Sequence, residues 1–346
     1  VWQQVGKSSQ KLTTGYGHSI IPQTSKKVLN NFRKNIWFQA LAIIAVVLLM
    51  WVPAWIHVPS PKVDAGGPLY LLIVANMAPR LASILALAMV IGEGMLFNII
   101  LYNKKMIGQG ELSPMLLYIV AMSVGLESLT LTPMLFVNIF LILGIGLQMS
   151  RAMVKSIDGN DVFGAATCVA MATICYPSAI LFLLPLMANM INYRLYRGNE
   201  WLMLLLGFLA PFITLEMILF VADRMFYQNY MMLYSLTDYH LTINGDVSDW
   251  VSGLLFVVVL LAGLLATMVQ LSRNTGNHKK NVKVVLFLLM AAVPLLAYQQ
   301  IVPIASQCLA LPFALAGTFL LNGAKKGIAS LLIVVALIGI IIFNCV

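Results

Sequence analysis

The chain is poor in charge: Lys, Arg, Asp and Glu make up 10% of 346 residues, while hydrophobic residues make up 61%. A large soluble helical protein needs charged outer faces to stay dissolved, and their absence excludes that reading. Cysteine is scarce as well. Cys168, Cys175, Cys308 and Cys345 follow no disulfide framework and no zinc spacing. Cys168 and Cys175 lie two helical turns apart, too far for a direct bond, and read as small packing residues. There is no P-loop, dinucleotide glycine fingerprint, nucleophile elbow or HExxH motif. Inverted repeats with matching broken helices are also lacking, which speaks against a secondary transporter. The chain starts at Val1, and residues 1–35 have no short apolar core before a small-residue site, so no cleavable signal is expected.

What is present is a series of apolar runs of roughly 20 residues, the length that crosses the hydrocarbon layer as a helix. The expected fold is an all-α polytopic integral membrane protein of about eleven transmembrane helices. A basic cytoplasmic arm (1–35) precedes a single transmembrane domain (36–346). The arm holds Lys7, Lys11, Lys26, Lys27, Arg33 and Lys34 without an acid, which suits contact with anionic headgroups. Spans are expected near 36–58, 81–102, 112–125, 130–149, a hairpin over 162–191 that breaks near Tyr176 to Ser178, then 201–221, 250–271, 284–298, 302–321 and 327–343. A short interfacial helix is expected from Leu69 to Met77, and Asp161 is placed to cap the helix after it.

The formal charge of +9 does not form one patch that would bind nucleic acid; the cations sit at the ends of apolar runs. With the N-terminus inside and the C-terminus in the periplasm, eighteen of the twenty-one Lys and Arg fall on the cytoplasmic side, and only Lys62, Arg80 and Arg224 lie outside. This pattern fits a multi-pass protein of a bacterial inner membrane. Two segments then share the outer side: the loop PSPKVDAGGP, and residues 223–249, rich in tyrosine and the largest polar interruption.

Two acids stand inside apolar spans, Glu93 in IGEGMLF and Glu216 in FITLEMILF. A charge at mid-bilayer costs about 2.5 to 3.5 kcal/mol on insertion scales, so each needs a partner, water or a proton. They could line a polar path or bind a cation; alternatively, each is a hydrogen-bonded packing residue, and Gly92 and Gly94 beside Glu93 suit close helix approach. On the outer side, Asp64 can serve as general base and Arg80 can hold a phosphate, with Glu127, Arg224 and His240 as further substrate-binding candidates. Asp238, His240 and Asp246 match no metal motif, and neither metal nor cofactor is expected.

PLYLL, LFNIILYNKK, LSPMLLYIVAMS, LTPMLFVNIFLILGI and DVFGAATCVAMATICYPSAILFLLPLMANMI, followed by NEWLMLLLGFLAPF, resemble an uncharacterised family of polytopic inner-membrane proteins of the Bacteroidota. LPFALAGTFLL before Lys325 and Lys326 looks like that family's final hairpin. The order of first span, outer loop, short interfacial helix and paired hairpins also looks like the core of the C-type glycosyltransferases. That resemblance implies a donor on polyprenyl phosphate and an acid in the first outer loop, where Asp64 stands; the paired acidic motif usual there is missing.

Three functions are therefore carried forward. The first is cell-envelope biogenesis through a glycosyltransferase-like fold that handles a polyprenyl-phosphate-linked sugar or lipid, with Asp64 catalytic. The second is a non-catalytic scaffold subunit of a multi-protein envelope or secretion complex, with protein partners. The third is an ion or solute carrier that uses Glu93 and Glu216.

Overall fold

The computed structural model describes residues 36–61, 66–74, 77–108, 110–124, 126–149, 159–221, 247–273, 277–298 and 307–323. Among them it is all-helical, with no strand. The helices in chain order are α1 (Ile36–Ile56), α2 (Pro68–Val74), α3 (Pro79–Asn103), α4 (Ser113–Met122), α5 (Pro133–Gln148), α6 (Gly159–Cys175), α7 (Leu183–Tyr193), α8 (Gly198–Val221), α9 (Val247–Arg273), α10 (Asn277–Tyr298) and α11 (Ala310–Gly323). Short 3₁₀ turns, Leu126–Leu129 and Pro177–Phe182, interrupt α4 from α5 and α6 from α7.

Among the described residues, three stretches are long and apolar enough to cross a membrane: Gln39–Ile56 in α1, all of α3 and all of α8. Their outward residues explain why they read as membrane helices. Leu41, Ile44, Leu48 and Trp55 on α1, and Ile213, Met217, Phe220 and Val221 on α8, are exposed, a composition stable against lipid and not against water. The protein is a membrane protein.

The breaks follow from proline. Pro79, Pro114, Pro133 and Pro177 each stand at the first or second position of their element, where the missing N–H costs no hydrogen bond and the fixed φ starts the turn. The expected break near Tyr176 is therefore present. The second limb, however, begins as a 3₁₀ turn and continues as the 11-residue α7. The third expected span is shorter than written: α4 has 10 residues, about 15 Å of rise. Arg80, expected in the break before the second span, lies in the first turn of α3. Asp161 does not precede its helix. α6 already starts at Gly159, so Asp161 lies in the first turn, where its charge meets the positive end of the helix dipole. His278, Lys279, Lys280 and Lys283, expected in a loop, belong to the first turns of α10.

α4 is the hub. All its residues from Leu117 to Met122 are buried, and α1, α3 and α11 pack around it. Glycine sets the closest approaches. A Cβ at Gly207 of α8 would lie 2.4 Å from the Phe163 carbonyl of α6, one at Gly263 of α9 2.8 Å from the Ala316 carbonyl carbon of α11, and one at Gly317 of α11 2.8 Å from Leu117 of α4. Small residues bring backbones together where apolar burial alone drives no association. The basic edge is fastened by hydrogen bonds. Lys104 donates to the Met149 carbonyl at the end of α5, Gln39 accepts from the Leu112 N–H at 2.7 Å, and Tyr193 donates to Asn281 at 2.6 Å with the Lys280 ammonium 5.4 Å from its ring.

Candidate functional site

The interior holds a run of polar side chains that begins at Glu93, midway along α3. Glu93 is 1% exposed, and its Oε2 accepts the Tyr118 hydroxyl of α4 at 2.5 Å, short for an O–H···O bond. Gly94 is what brings the helices this close. A Cβ there would stand 3.2 Å from Met115 and 3.5 Å from the Tyr118 ring, whereas one at Gly92 would meet nothing within 4 Å. The Phe97 ring lies 6.2 Å from the Tyr118 ring and helps exclude water from the pair. Asn138 of α5 is a hydrogen-bonding neighbour of the Tyr118 hydroxyl.

From Asn138 the run turns to the main chain. Its Nδ2 donates to the Gln307 carbonyl and to the Met122 sulfur, each at 3.2 Å. The Gln307 side chain donates to the carbonyls of Met122 at 3.3 Å and Ser128 at 3.5 Å, and accepts from Thr132 at 2.7 Å. These contacts answer a specific need. Past α4 the α-helix does not continue, and the carbonyls of Met122, Ser128 and Leu131 lack the partners that a continuing α-helix supplies. Trp51 of α1 donates to the Ser123 hydroxyl at 3.2 Å and Tyr70 of α2 to the Leu131 carbonyl at 2.9 Å, sealing the same segment from the other side.

α2 joins the two interrupted hairpins. Tyr70 holds the first at Leu131, and the Gly67 N–H donates to the Cys175 carbonyl of the second at 2.7 Å. A Cβ at Gly67 would fall 2.2 Å from the Ile174 carbonyl, so only glycine permits this contact. α3 follows directly, with Arg80 exposed in its first turn; its N-cap Ala78 supplies no side-chain cap to the free N–H groups.

Three oxygens in or beside the run have no hydrogen-bond partner among the described residues: Glu93 Oε1, Asn138 Oδ1 and Thr130 Oγ1. A second polar group lies at the base of α5, α6 and α7, where Asn189 donates to Gln148 at 2.6 Å beside a cleft of about 10 Å³ that Asp161 and Tyr193 also line. That volume is at the lower limit for a single water.

The predicted residues are thus divided. Glu93 is inside, paired and close-packed. Glu216 is half-buried on α8, which packs on α6, whereas α3 packs on α4 and α5; no described contact brings the two acids together. Arg80 is exposed. Glu127 lies in the 3₁₀ turn, and its side chain is outside the description. Asp64, Arg224 and His240 are outside the described residues, as are the arm and the 327–343 span. No group of three or more His, Cys, Asp or Glu that could hold a metal occurs among the described residues.

Sequence reasoning missed Tyr118, Asn138 and Gln307. Two of them carry a signal, since Asn138 in LFVNIF and Gln307 before CLALPF are amides in apolar runs, where an unpaired amide is costly. Comparison with family models, with curated proteins and with solved structures finds no match.

Proposed function

We propose that the chain is a multi-pass inner-membrane protein of cell-envelope biogenesis that handles a polyprenyl-phosphate-linked sugar or lipid at its outer edge. In this reading about eleven helices span the bilayer, the N-terminus is cytoplasmic, and the C-terminus is periplasmic. The observation that carries it is the placement of α2. A short helix seated across two hairpins, fixed through Gly67 and Tyr70 and followed at once by an exposed Arg80, is the framework that the resemblance to C-type glycosyltransferases calls for. The guanidinium and the uncapped first turn of α3 both favour an anion. Asp64 is the general base that would activate the acceptor, with Glu127, Arg224 and His240 on the substrate side.

The test is lipid retention by the purified full chain. Polyprenyl phosphate should co-purify with the wild type and be depleted about tenfold in Arg80→Ala, the loss of one charge-assisted contact. Sugar transfer should be lost in Asp64→Ala with lipid retained. Lipid identical to the bulk membrane in both proteins would overturn the reading.

One observation favours a scaffold subunit instead. Trp51, Tyr70, Asn138 and Gln307 all fasten the 123–132 segment and its hairpin, which suits a protein that holds a shape for others. Stoichiometric protein partners retained by the wild type, with no polyprenyl phosphate, would decide for that reading.

A further inference from the structure

We propose that Glu93 is a reversible proton-binding site inside the helix bundle, with Tyr118 as its positioning partner. The geometry sets a sharp difference between the two states of this carboxyl. An ionised carboxylate offers about four lone-pair sites, and here only Oε2 is engaged, by one hydroxyl, while Oε1 has no partner and the side chain is 1% exposed. A charge so placed is poorly compensated. A proton removes the charge and leaves a neutral acid that one hydrogen bond to Tyr118 can hold.

The step is a simple transfer: an O–H bond forms on Glu93 as hydronium gives up its proton and leaves as water. A metal cation is the weaker candidate. Hard cations take about six or more oxygens, whereas the described side-chain hydrogen bonds link Glu93 to Tyr118 and Tyr118 to Asn138 alone.

The neighbours isolate the event. Against α3 pack α4, whose only titratable residue is Tyr118; α5, which has none; and the 3₁₀ turn, which carries Glu127. On α3 itself Arg80 stands about 20 Å away along the helix and Tyr102 about 14 Å away in the other direction. The Tyr118 hydroxyl, which donates to Glu93 and has Asn138 as its other neighbour, favours the ionised form.

The test uses dicyclohexylcarbodiimide, which modifies protonated carboxyls in apolar surroundings, on the full chain in lipid nanodiscs, with peptide mass mapping. Glu93 should be modified at low pH and progressively less as pH rises. Tyr118→Phe should move the midpoint upward, raising proton affinity about tenfold through loss of one hydrogen bond to a charged group. Glu93→Gln should lose that adduct while the peptide carrying Glu216 is unaffected.

Infrared difference spectra across the same pH range give a second readout that needs no reagent access. The wild type should show a protonated-carboxyl carbonyl band that is absent from Glu93→Gln. Identical spectra in the two proteins at every pH would overturn the proposal, and protection by sodium at fixed pH would replace the proton with a cation as the ligand.

Discussion

Gln307 makes three hydrogen bonds to a segment that has left its helix, so its removal should cost more than its size suggests. Gln307→Leu keeps most of the volume but withdraws the donor from the Met122 and Ser128 carbonyls and the acceptor from Thr132. Each buried group left unpaired costs about 1 to 3 kcal/mol. Thermal unfolding of the purified protein should show a clearly lowered Tm for this variant, and an unchanged Tm would mean that the segment is held by packing alone. The same reasoning separates Gly94 from Gly92. Gly94→Leu should separate α3 from Tyr118 and lower the Tm, because its Cβ already meets Met115 at 3.2 Å, whereas Gly92→Ala meets nothing and should gain up to about 1 kcal/mol of helix propensity.

At this scale the sequence was only partly legible. Glu93 stands out because an acid in an apolar run is expensive wherever it lies, and Gly94 beside it announces a close approach. Tyr118 does not stand out, since a tyrosine in a membrane helix is as readily an interfacial or packing residue as a partner for an acid. The pairing depends on how α3 and α4 meet, which residue types alone do not state.

Among the elements, α8 packs chiefly on one neighbour, α6. It is 24 residues long, its most exposed residues face outward, and its contact with α6 passes through Gly207, against whose Cα side the Phe163 carbonyl lies, with Thr167 donating to the Gly207 carbonyl at 3.1 Å. Gly207→Val should force the two backbones apart, since a Cβ would fall 2.4 Å from a carbonyl oxygen that cannot turn away. A pair of cysteines placed across α6 and α8 should cross-link in a background whose four native cysteines are replaced by alanine, and fail to do so with Gly207→Val; equal cross-linking would show that the helices meet elsewhere.

Helix existence was legible at this scale because an apolar run bounded by proline and by basic residues leaves few alternatives. α1, α3, α5 and α8 begin and end within a few residues of the expected spans. Lengths were less legible. α4, α7 and α11 have 10, 11 and 14 residues, short for a crossing. Hydropathy does not distinguish a helix that crosses from one that stops inside, because the buried loop after it is just as apolar. Between α4 and α5 the described backbone is turn, the 3₁₀ turn Leu126–Leu129 and loop, and the described side chains, those of 123–124 and 128–132, are buried. Such a loop is tolerated at depth only because side chains from other helices satisfy it.

For the whole molecule, the account depends on sidedness. On the charge pattern, the proposed topology puts the basic arm, the ends of α3 and α7 and the first turns of α10 on one side and residues 59–68 and 223–249 on the other. The described hydrogen bonds at the basic edge, from Lys104 to Met149 and from Tyr193 to Asn281, tie helix ends that the sidedness argument puts on the same face. The outer segments are assigned by the charge pattern alone, in which Lys62, Arg80 and Arg224 are the only cations that fall there.

The most direct measurement is accessibility of single cysteines in spheroplasts to a membrane-impermeant maleimide, with the four native cysteines replaced by alanine. Cysteines introduced at Asp64 and at Tyr239 should both react from outside, and one introduced at Lys105 should react only after the membrane is opened. Reaction of the Asp64 and Tyr239 positions from opposite faces would contradict the account, because no single outer edge could then hold an acid, Arg80 and the tyrosine-rich segment together.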